Sequence, residues 1–261
     1  MTEPIRTLLT GATGTLGGQL RPRLRDAGHA VRAASRSPPS EPDADAEWVE
    51  MDLADGTGIE AALENVDVVV HAASAPRGDT EAVDVEGTRR LLDAAAQAGI
   101  SNVCYVSIVG VDSVPLTYYQ HKLEAERAAE ASEVPSTIVR LTQFHSFVFD
   151  VLEAISRVPV WPLPVDVPLQ PIEPGEAAAA VVDRATADPQ GRVPPVGGPE
   201  VRTVGELARA YRTATGSRRP IVPVPIPGAV AAGFRSGEAT CPDRTVGTTT
   251  WKRWLAHQST S

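Results

Sequence analysis

Eight residues near the start of the chain, Thr10-Gly11-Ala12-Thr13-Gly14-Thr15-Leu16-Gly17, constrain its fold more than any other stretch. They make a G-x-x-G-x-x-G turn between an apolar run, Ile5 to Thr10, and a helical pattern, Leu16 to Ala27. Gly11 permits a tight exit from a strand, Gly14 lets backbone approach a pyrophosphate, and Gly17 lets the following helix lie close to the sheet. The phosphates would meet the helix amino terminus, where unpaired amides and the macrodipole favour anions. Gly11, Thr13, Gly14, Thr15, Leu16 and Gly17 are therefore read as cofactor-binding residues. The competing reading is a structural loop, against which stand the βα units that follow.

The first two-thirds of the chain alternates short β-branched runs with longer Ala/Leu-rich stretches, the pattern of a parallel sheet covered on both faces. Strands are expected at Ile5–Thr10, Ala30–Ser35, Glu47–Met51, Val66–His71, Val103–Ser107 and Ser136–Leu141. Helices are expected near Leu16–Ala27, Gly58–Glu64, Glu81–Ala98 and Thr117–Ala131. In the third, Val85, Thr88, Leu92, Ala95 and Ala96 share a face, and Gly99 supplies a left-handed stop. From Val158 the composition changes, with prolines at 159, 162, 164, 168, 171 and 174 disfavouring long regular elements. Further helices are expected near Gly175–Ala187, Val204–Thr215 and Thr248–Ala256, with a strand near Ile221–Val224. The expected architecture is α/β, a Rossmann-type doubly wound parallel sheet with a smaller carboxy-terminal substrate-binding lobe. The dinucleotide-binding domain is placed at residues 1–157 and the lobe at 158–261, with some elements returning to the first domain.

Bulk properties narrow the partners. A net charge of −9 with scattered arginines argues against a nucleic-acid partner. No stretch approaches the ~18 apolar residues of a membrane span, so no membrane partner is expected. Cys104 sits in an apolar run and reads as a core residue, Cys241 stands far from it, and a reducing, cytoplasmic setting is expected. A small-molecule substrate is the expected partner, no metal site is expected, and a homo-oligomer is compatible with the sequence.

The end of the second strand bears on cofactor choice. Val31-Arg32-Ala33-Ala34-Ser35-Arg36-Ser37 has no acid to bind a ribose 2′-hydroxyl, and none precedes Glu41. Arg36, with Ser35 or Ser37, is placed to pair with a 2′-phosphate, so NADP(H) is preferred over NAD(H). A solvated surface arginine is the alternative. Asp52 reads as an acceptor for the adenine amino group with Leu53 beside the ring, or else as a capping residue. Ala72 and Ala73 are small where a cofactor must pass close to backbone, and His71 reads as a packed strand end.

The chain resembles the short-chain dehydrogenase/reductase superfamily, and within it the atypical NmrA-like NAD(P)H-binding proteins. Besides the glycine turn, the resemblance rests on Tyr105 to Gly110, on Tyr118-Tyr119-Gln120-His121-Lys122-Leu123-Glu124-Ala125-Glu126 and on Thr137 to His145. It implies a Tyr-x-x-x-Lys pair, met here by Tyr118 and Lys122, on one helix face. Lys122 would hold the nicotinamide ribose and ease proton transfer by the Tyr118 phenol, while Ser107 would hydrogen-bond the substrate oxygen. Ser107 precedes Tyr118 by 11 residues, closer than in many relatives, and Ser113 is the alternative. Tyr119 reads as packing, and His121 and Glu124 as solvent-facing. Gln143, Phe144, His145 and Phe147 would floor a substrate pocket, or else be ordinary core.

The expected function is an NAD(P)H-dependent oxidoreductase passing hydride to a small carbonyl, quinone or enone. The alternatives are a catalytically silent NADP(H)-binding redox sensor and a nucleotide-sugar epimerase or dehydratase.

Overall fold

A computed structural model describes residues 3–41 and 46–258. The chain divides into two compact units. One comprises the residues up to Ser107 with Gln120–Arg140 and Ala178–Pro194; the other comprises Ile108–Tyr119, Leu141–Ala177 and the chain from Pro195.

In chain order the elements are β1 (Arg6–Thr10), α1 (Thr15–Asp26), β2 (Ala30–Ser35), β3 (Glu47–Glu50), α2 (Ile59–Leu63), β4 (Val68–His71), a π-helical segment (Glu81–Glu86), α3 (Gly87–Ala98), β5 (Asn102–Ile108), α4 (Thr117–Ala131) and β6 (Ser136–Leu141). There follow α5 (His145–Ser156), β7 (Trp161–Leu163), β8 (Pro168–Leu169), α6 (Pro174–Val182), β9 (Gly191–Arg192), β10 (Arg202–Thr203), α7 (Val204–Ala214), β11 (Ile221–Pro223), α8 (Ala229–Arg235) and α9 (Trp251–Gln258).

The first unit is built on a sheet of order β3-β2-β1-β4-β5-β6-β9, the doubly wound arrangement expected from the sequence. β1 pairs in parallel with both β2 and β4, and Thr10 stands opposite His71. Strand order reverses between β1 and β4, and this switch point is where such sheets open a crevice at their carboxyl ends. Burial explains why these runs are continuous and apolar: Val68, Val69 and Val70 are all at 0% exposure. Leu8, Val69, Leu91, Leu92, Val103, Tyr105 and Ile138 share one core with Ala125 and Ala129 of α4. Gly99 ends α3 at φ +70°, and the amides of Gly99 and Ile100 turn back to the carbonyls of Ala96 and Ala95. That is a Schellman stop, and it needs a residue without a Cβ penalty in the left-handed region.

The second unit packs around Trp161, Trp251, Trp254 and Tyr211, with Leu152, Leu163 and Leu207. Trp251 and Trp254 stack at 5.5 Å, and the Trp251 indole donates to the Leu207 carbonyl at 3.0 Å. Thr203 and Glu206 form a reciprocal capping box at the start of α7. The proline-rich stretch yields only the three-residue β7 and two-residue β8, since each proline removes a ladder donor. α5, α8 and the short strands β7 to β10 were not expected from the sequence. The helix expected at Glu81–Ala98 is observed, but its first six residues are π-helical.

Candidate active site

The glycine turn leaves β1 with Gly11 at φ +68°. A Cβ there would stand 2.7 Å from the Ala72 carbonyl oxygen and the Ala73 backbone, so the turn and the segment after β4 are in direct contact. A Cβ on Gly17 would run into the Gly11 carbonyl and lie 2.8 Å from the Ala12 Cα, which is why α1 can close on the turn only with glycine there. At Gly14 an added Cβ would meet only the Gly11 carbonyl, at 3.3 Å. Thr13, Gly14 and Thr15 are exposed, Gly14 caps α1 without a side-chain bond, and Leu16 is buried. First-turn amides have no acceptor within their own helix. The turn is thus a cradle with open donors that fits a diphosphate.

Beneath the turn runs a chain of hydrogen bonds. His71 is 1% exposed, with Nδ1 2.7 Å from Thr10 Oγ1 and Nε2 2.9 Å from Thr88 Oγ1. The Thr88 hydroxyl donates to the Asp84 carbonyl at 2.7 Å, so it must accept from His71 Nε2–H. Thr10 therefore donates to Nδ1, and its oxygen accepts the Ala73 amide at 3.2 Å. The imidazole is neutral and serves both neighbours. Burial, followed by the charge of Lys122, lowers its pKa to about 3.

Lys122, on α4, is 3% exposed. Its ammonium donates to the Val106 carbonyl at 2.9 Å, stands 4.3 Å over the Tyr105 ring and lies 3.7 Å from Asp84 Oδ1. Burial lowers its pKa, and Asp84 and Glu126 work in the opposite direction. Asp84 Oδ1 also accepts from Ser74 Oγ at 2.6 Å, and Oδ2 from the Ala75 amide at 3.0 Å. Ser107 is 1% exposed at the carboxyl-terminal part of β5, and its hydroxyl has no hydrogen-bond partner among the described residues. A buried unpaired hydroxyl is costly unless something else bonds it.

The remaining candidates are spread through the two units. Arg36 is exposed after β2, whereas Arg32 is engaged by Glu47 on β3 at 3.2 Å. Ser35 Oγ accepts the Ser37 amide and donates to its carbonyl, shaping the turn that carries Arg36. Asp52 Oδ1 accepts the Ala54 amide at 2.8 Å, so one carboxylate oxygen closes a turn, and Leu53 belongs to the core beside Gly87. Tyr118 is half-buried one helical turn before Lys122 on α4. Tyr119 is buried edge-on against Phe234, and burial pushes its phenol up to about 12. Glu124 is exposed and paired with Arg89, but His121 is half-buried, with Nδ1 2.6 Å from Thr80 Oγ1.

In the second unit Ser113 is exposed in the turn after Gly110. Gln143 donates to the Ala239 carbonyl at 3.0 Å and accepts the Gln170 amide at 3.3 Å. Phe144 is half-buried and bridges to Ile172, and Phe147 is 48% exposed on α5. His145 is fully buried against both Trp251 and Trp254, with Nε2 donating to the Thr249 carbonyl. Sequence reasoning missed Asp84, Thr10 and Thr88. The signal for Asp84 was present: it precedes Thr88 by four residues, and so puts a carboxylate on the buried stripe of its helix.

A family model described as NAD(P)H-binding matches residues 11–147, which run from the first glycine of the cradle into α5 and make up more than half of the chain. The chain belongs to this NAD(P)H-binding family. It is 32% identical over 205 residues to the (4-alkanoyl-5-oxo-2,5-dihydrofuran-3-yl)methyl phosphate reductase of Streptomyces griseus, covering 76% of this chain and 70% of that protein. A 103-residue match at 34% identity joins it to an uncharacterized protein of Mycobacterium tuberculosis, of whose length the chain spans only 12%. Among solved structures, the NADPH complex of an NADPH-dependent quinone oxidoreductase from Escherichia coli superimposes with TM-score 0.77 at 19% identity, over 97% of this chain and 99% of that one. An epimerase from Methanothermobacter thermautotrophicus does so with TM-score 0.80 at 16% identity, over 99% and 92%. At these identities the structural likeness shows the shared Rossmann fold. Among the described residues no helix is long and apolar enough to cross a membrane.

Proposed function

We propose that this protein is an NADP(H)-dependent reductase of a small conjugated carbonyl compound. The observation that carries the reading is the buried hydroxyl of Ser107, which has no hydrogen-bond partner among the described residues, in the same unit as the buried Lys122. When bound, nicotinamide supplies or takes up hydride. The Gly11–Gly17 cradle binds the diphosphate, Arg36 binds the 2′-phosphate, and Asp52 and Leu53 flank the adenine. Ala72 and Ala73 admit the cofactor close to backbone. Lys122 binds the nicotinamide ribose, Ser107 orients the substrate oxygen, and the Tyr118 phenol gives that oxygen its proton, so that carbonyl carbon gains hydride and oxygen gains the proton. Gln143, Phe144, His145 and Phe147 belong to the substrate side, with Phe147 the exposed apolar member. Support for a carbonyl substrate comes from the Streptomyces relative, whose name describes reduction of an alkanoyl-oxo-dihydrofuran phosphate.

A second reading, a nucleotide-sugar epimerase or dehydratase, draws support from the fold shared with solved epimerases. It uses the same residues but returns the hydride to the substrate, with no net change in cofactor.

The test is NADPH oxidation across a panel of quinones, enones and ketones by the parent and Tyr118→Phe. The reductase reading expects net oxidation, with kcat lowered by roughly 10²–10⁴ in the variant and NADPH affinity retained. Conversion of a nucleotide sugar without net NADPH consumption would replace it with the epimerase reading.

A further inference from the structure

The buried carboxylate beside Lys122 has no part in the reaction described above. We propose that Asp84 is a positioning residue for Lys122: its carboxylate, 3.7 Å from Nζ, supplies the charge that keeps the ammonium protonated and aimed, and thereby sets the pH range over which the lysine works. The inference rests on the reading of Lys122 as a cofactor and proton-relay residue.

The side chains of Lys122 and Asp84 are 3% and 0% exposed, so neither charge is solvated by bulk water. An isolated ammonium in such a place gives up its proton unless a counter-charge holds it. Four elements face it. From β5 come the Val106 carbonyl, a neutral acceptor, and the Tyr105 ring, a weakly attractive π-face. From β4 comes His71, neutral by its hydrogen-bond pattern and no source of negative charge. On α4 itself Glu126 is one turn further on, but its carboxylate is taken by Arg140 at 2.7 Å and Arg192 at 3.2 Å. The π-helical segment brings Asp84, the carboxylate in this group that no arginine neutralises.

Asp84 is itself fixed from two sides. Ser74 Oγ donates to Oδ1 and the Ala75 amide to Oδ2, so the carboxylate cannot swing away from the lysine. The segment after β4, which carries Ala72 and Ala73, is thereby tied to the same charge that holds Lys122. π-helical turns are rare and are found frequently at functional sites.

The chain contains two lysines, Lys122 and the exposed Lys252, so the side-chain nitrogen of Lys122 can be titrated directly by NMR of protein labelled with 15N-lysine, with Lys252 as internal reference. Lys122 is expected to titrate below the ordinary lysine range in the parent, and lower by at least a further unit in Asp84→Asn. In parallel, NADPH affinity measured by fluorescence should begin to fall at lower pH in Asp84→Asn than in the parent. On a Lys122→Met background Asp84→Asn should produce no further loss. Should Asp84→Asn fail to fold, Ser74→Ala serves instead: it removes a competing donor from Oδ1 and should raise the Lys122 titration. An unchanged Lys122 titration in a folded Asp84→Asn, or in Ser74→Ala where that variant is needed, overturns the proposal. So does an equal affinity loss with and without Lys122. The titration needs no turnover, so absence of reductase activity with a normal Asp84 effect would refute the reductase reading alone.

Discussion

The Nδ1 atom of His71 lies 2.7 Å from the hydroxyl of Thr10, joining the carboxyl ends of β4 and β1 at the point where strand order reverses. Through Thr10 the contact reaches the Ala73 amide, and through Thr88 it reaches the Asp84 carbonyl. One neutral ring thus ties the glycine turn, the segment after β4 and the start of α3 into a single hydrogen-bonded unit.

Replacing His71 by Phe keeps the ring and its contact with Tyr105 but leaves two buried hydroxyls short of a partner. Each lost buried bond costs about 1–3 kcal/mol, so unfolding free energy should fall by roughly 2–6 kcal/mol. Urea denaturation of the two proteins at pH 7.5, about one unit above an ordinary histidine pKa, measures this. A loss under about 0.5 kcal/mol would mean the chain contributes little.

The same ring sets an acid dependence. Its folded pKa, about 3, lies below the ordinary histidine value of 6.5, so between these values the unfolded chain binds a proton that the folded chain does not. Stability is full above 6.5 and declines as pH falls towards 3, by at most roughly 5 kcal/mol at about 1.4 kcal/mol per unit. His145 and His29 are also lowered by burial and add in the same direction. His71→Phe should flatten the stability profile over this range without abolishing its slope. An unchanged slope would show that His71 is not the group titrating.

Two glycines of the cradle should separate folding from binding. Gly17→Ala sets a methyl against the Gly11 carbonyl and Ala12, both backbone, and should destabilise the protein by roughly 2 kcal/mol or more. Gly14→Ala meets one atom at 3.3 Å and should melt near the parent temperature while binding NADPH at least tenfold more weakly, about 1.4 kcal/mol. Calorimetric melting and NADPH titration of both variants check the contrast, which fails if Gly14→Ala binds as the parent does.

Arg36→Ala should weaken NADPH by roughly 1.5–3 kcal/mol, the loss of a charge-assisted bond, and leave NADH nearly unchanged. Parallel titrations with the two coenzymes decide it. Equal effects on both would remove the 2′-phosphate contact from the account.

What the sequence disclosed depended on how local the cause was. Gly11, Gly14 and Gly17 announce the turn because their need for space or positive φ is set by a few neighbouring atoms. Strand boundaries such as Ala30–Ser35 and Ser136–Leu141 were legible because their buried positions, Val31, Ala33 and Ala34 in one and Thr137, Ile138, Val139 and Leu141 in the other, hold apolar or β-branched residues. His71 was readable as a packed strand end, but its partners are 61 and 17 residues away, and a single sequence carries no sign of that pairing. α5 was obscured because its N-cap, Phe144, offers no side-chain bond, and its aromatic residues read equally well as pocket lining. β9 is two residues long, too short to show a period, yet it completes the main sheet. The helical spacing of Asp84 was visible, but its role was hidden because its partners Ser74 and Lys122 lie 10 and 38 residues away, a pairing that a single sequence does not show.

Binding of NADP(H) in the cradle at Gly11–Gly17, as proposed, underlies every role assigned above. Equilibrium titration of the purified, folded protein with NADPH and NADH, followed by calorimetry, measures it. Saturable binding of one NADPH per chain, tighter than NADH and weakened by Gly14→Ala, is the expected result. Folded protein that takes up neither coenzyme would contradict it.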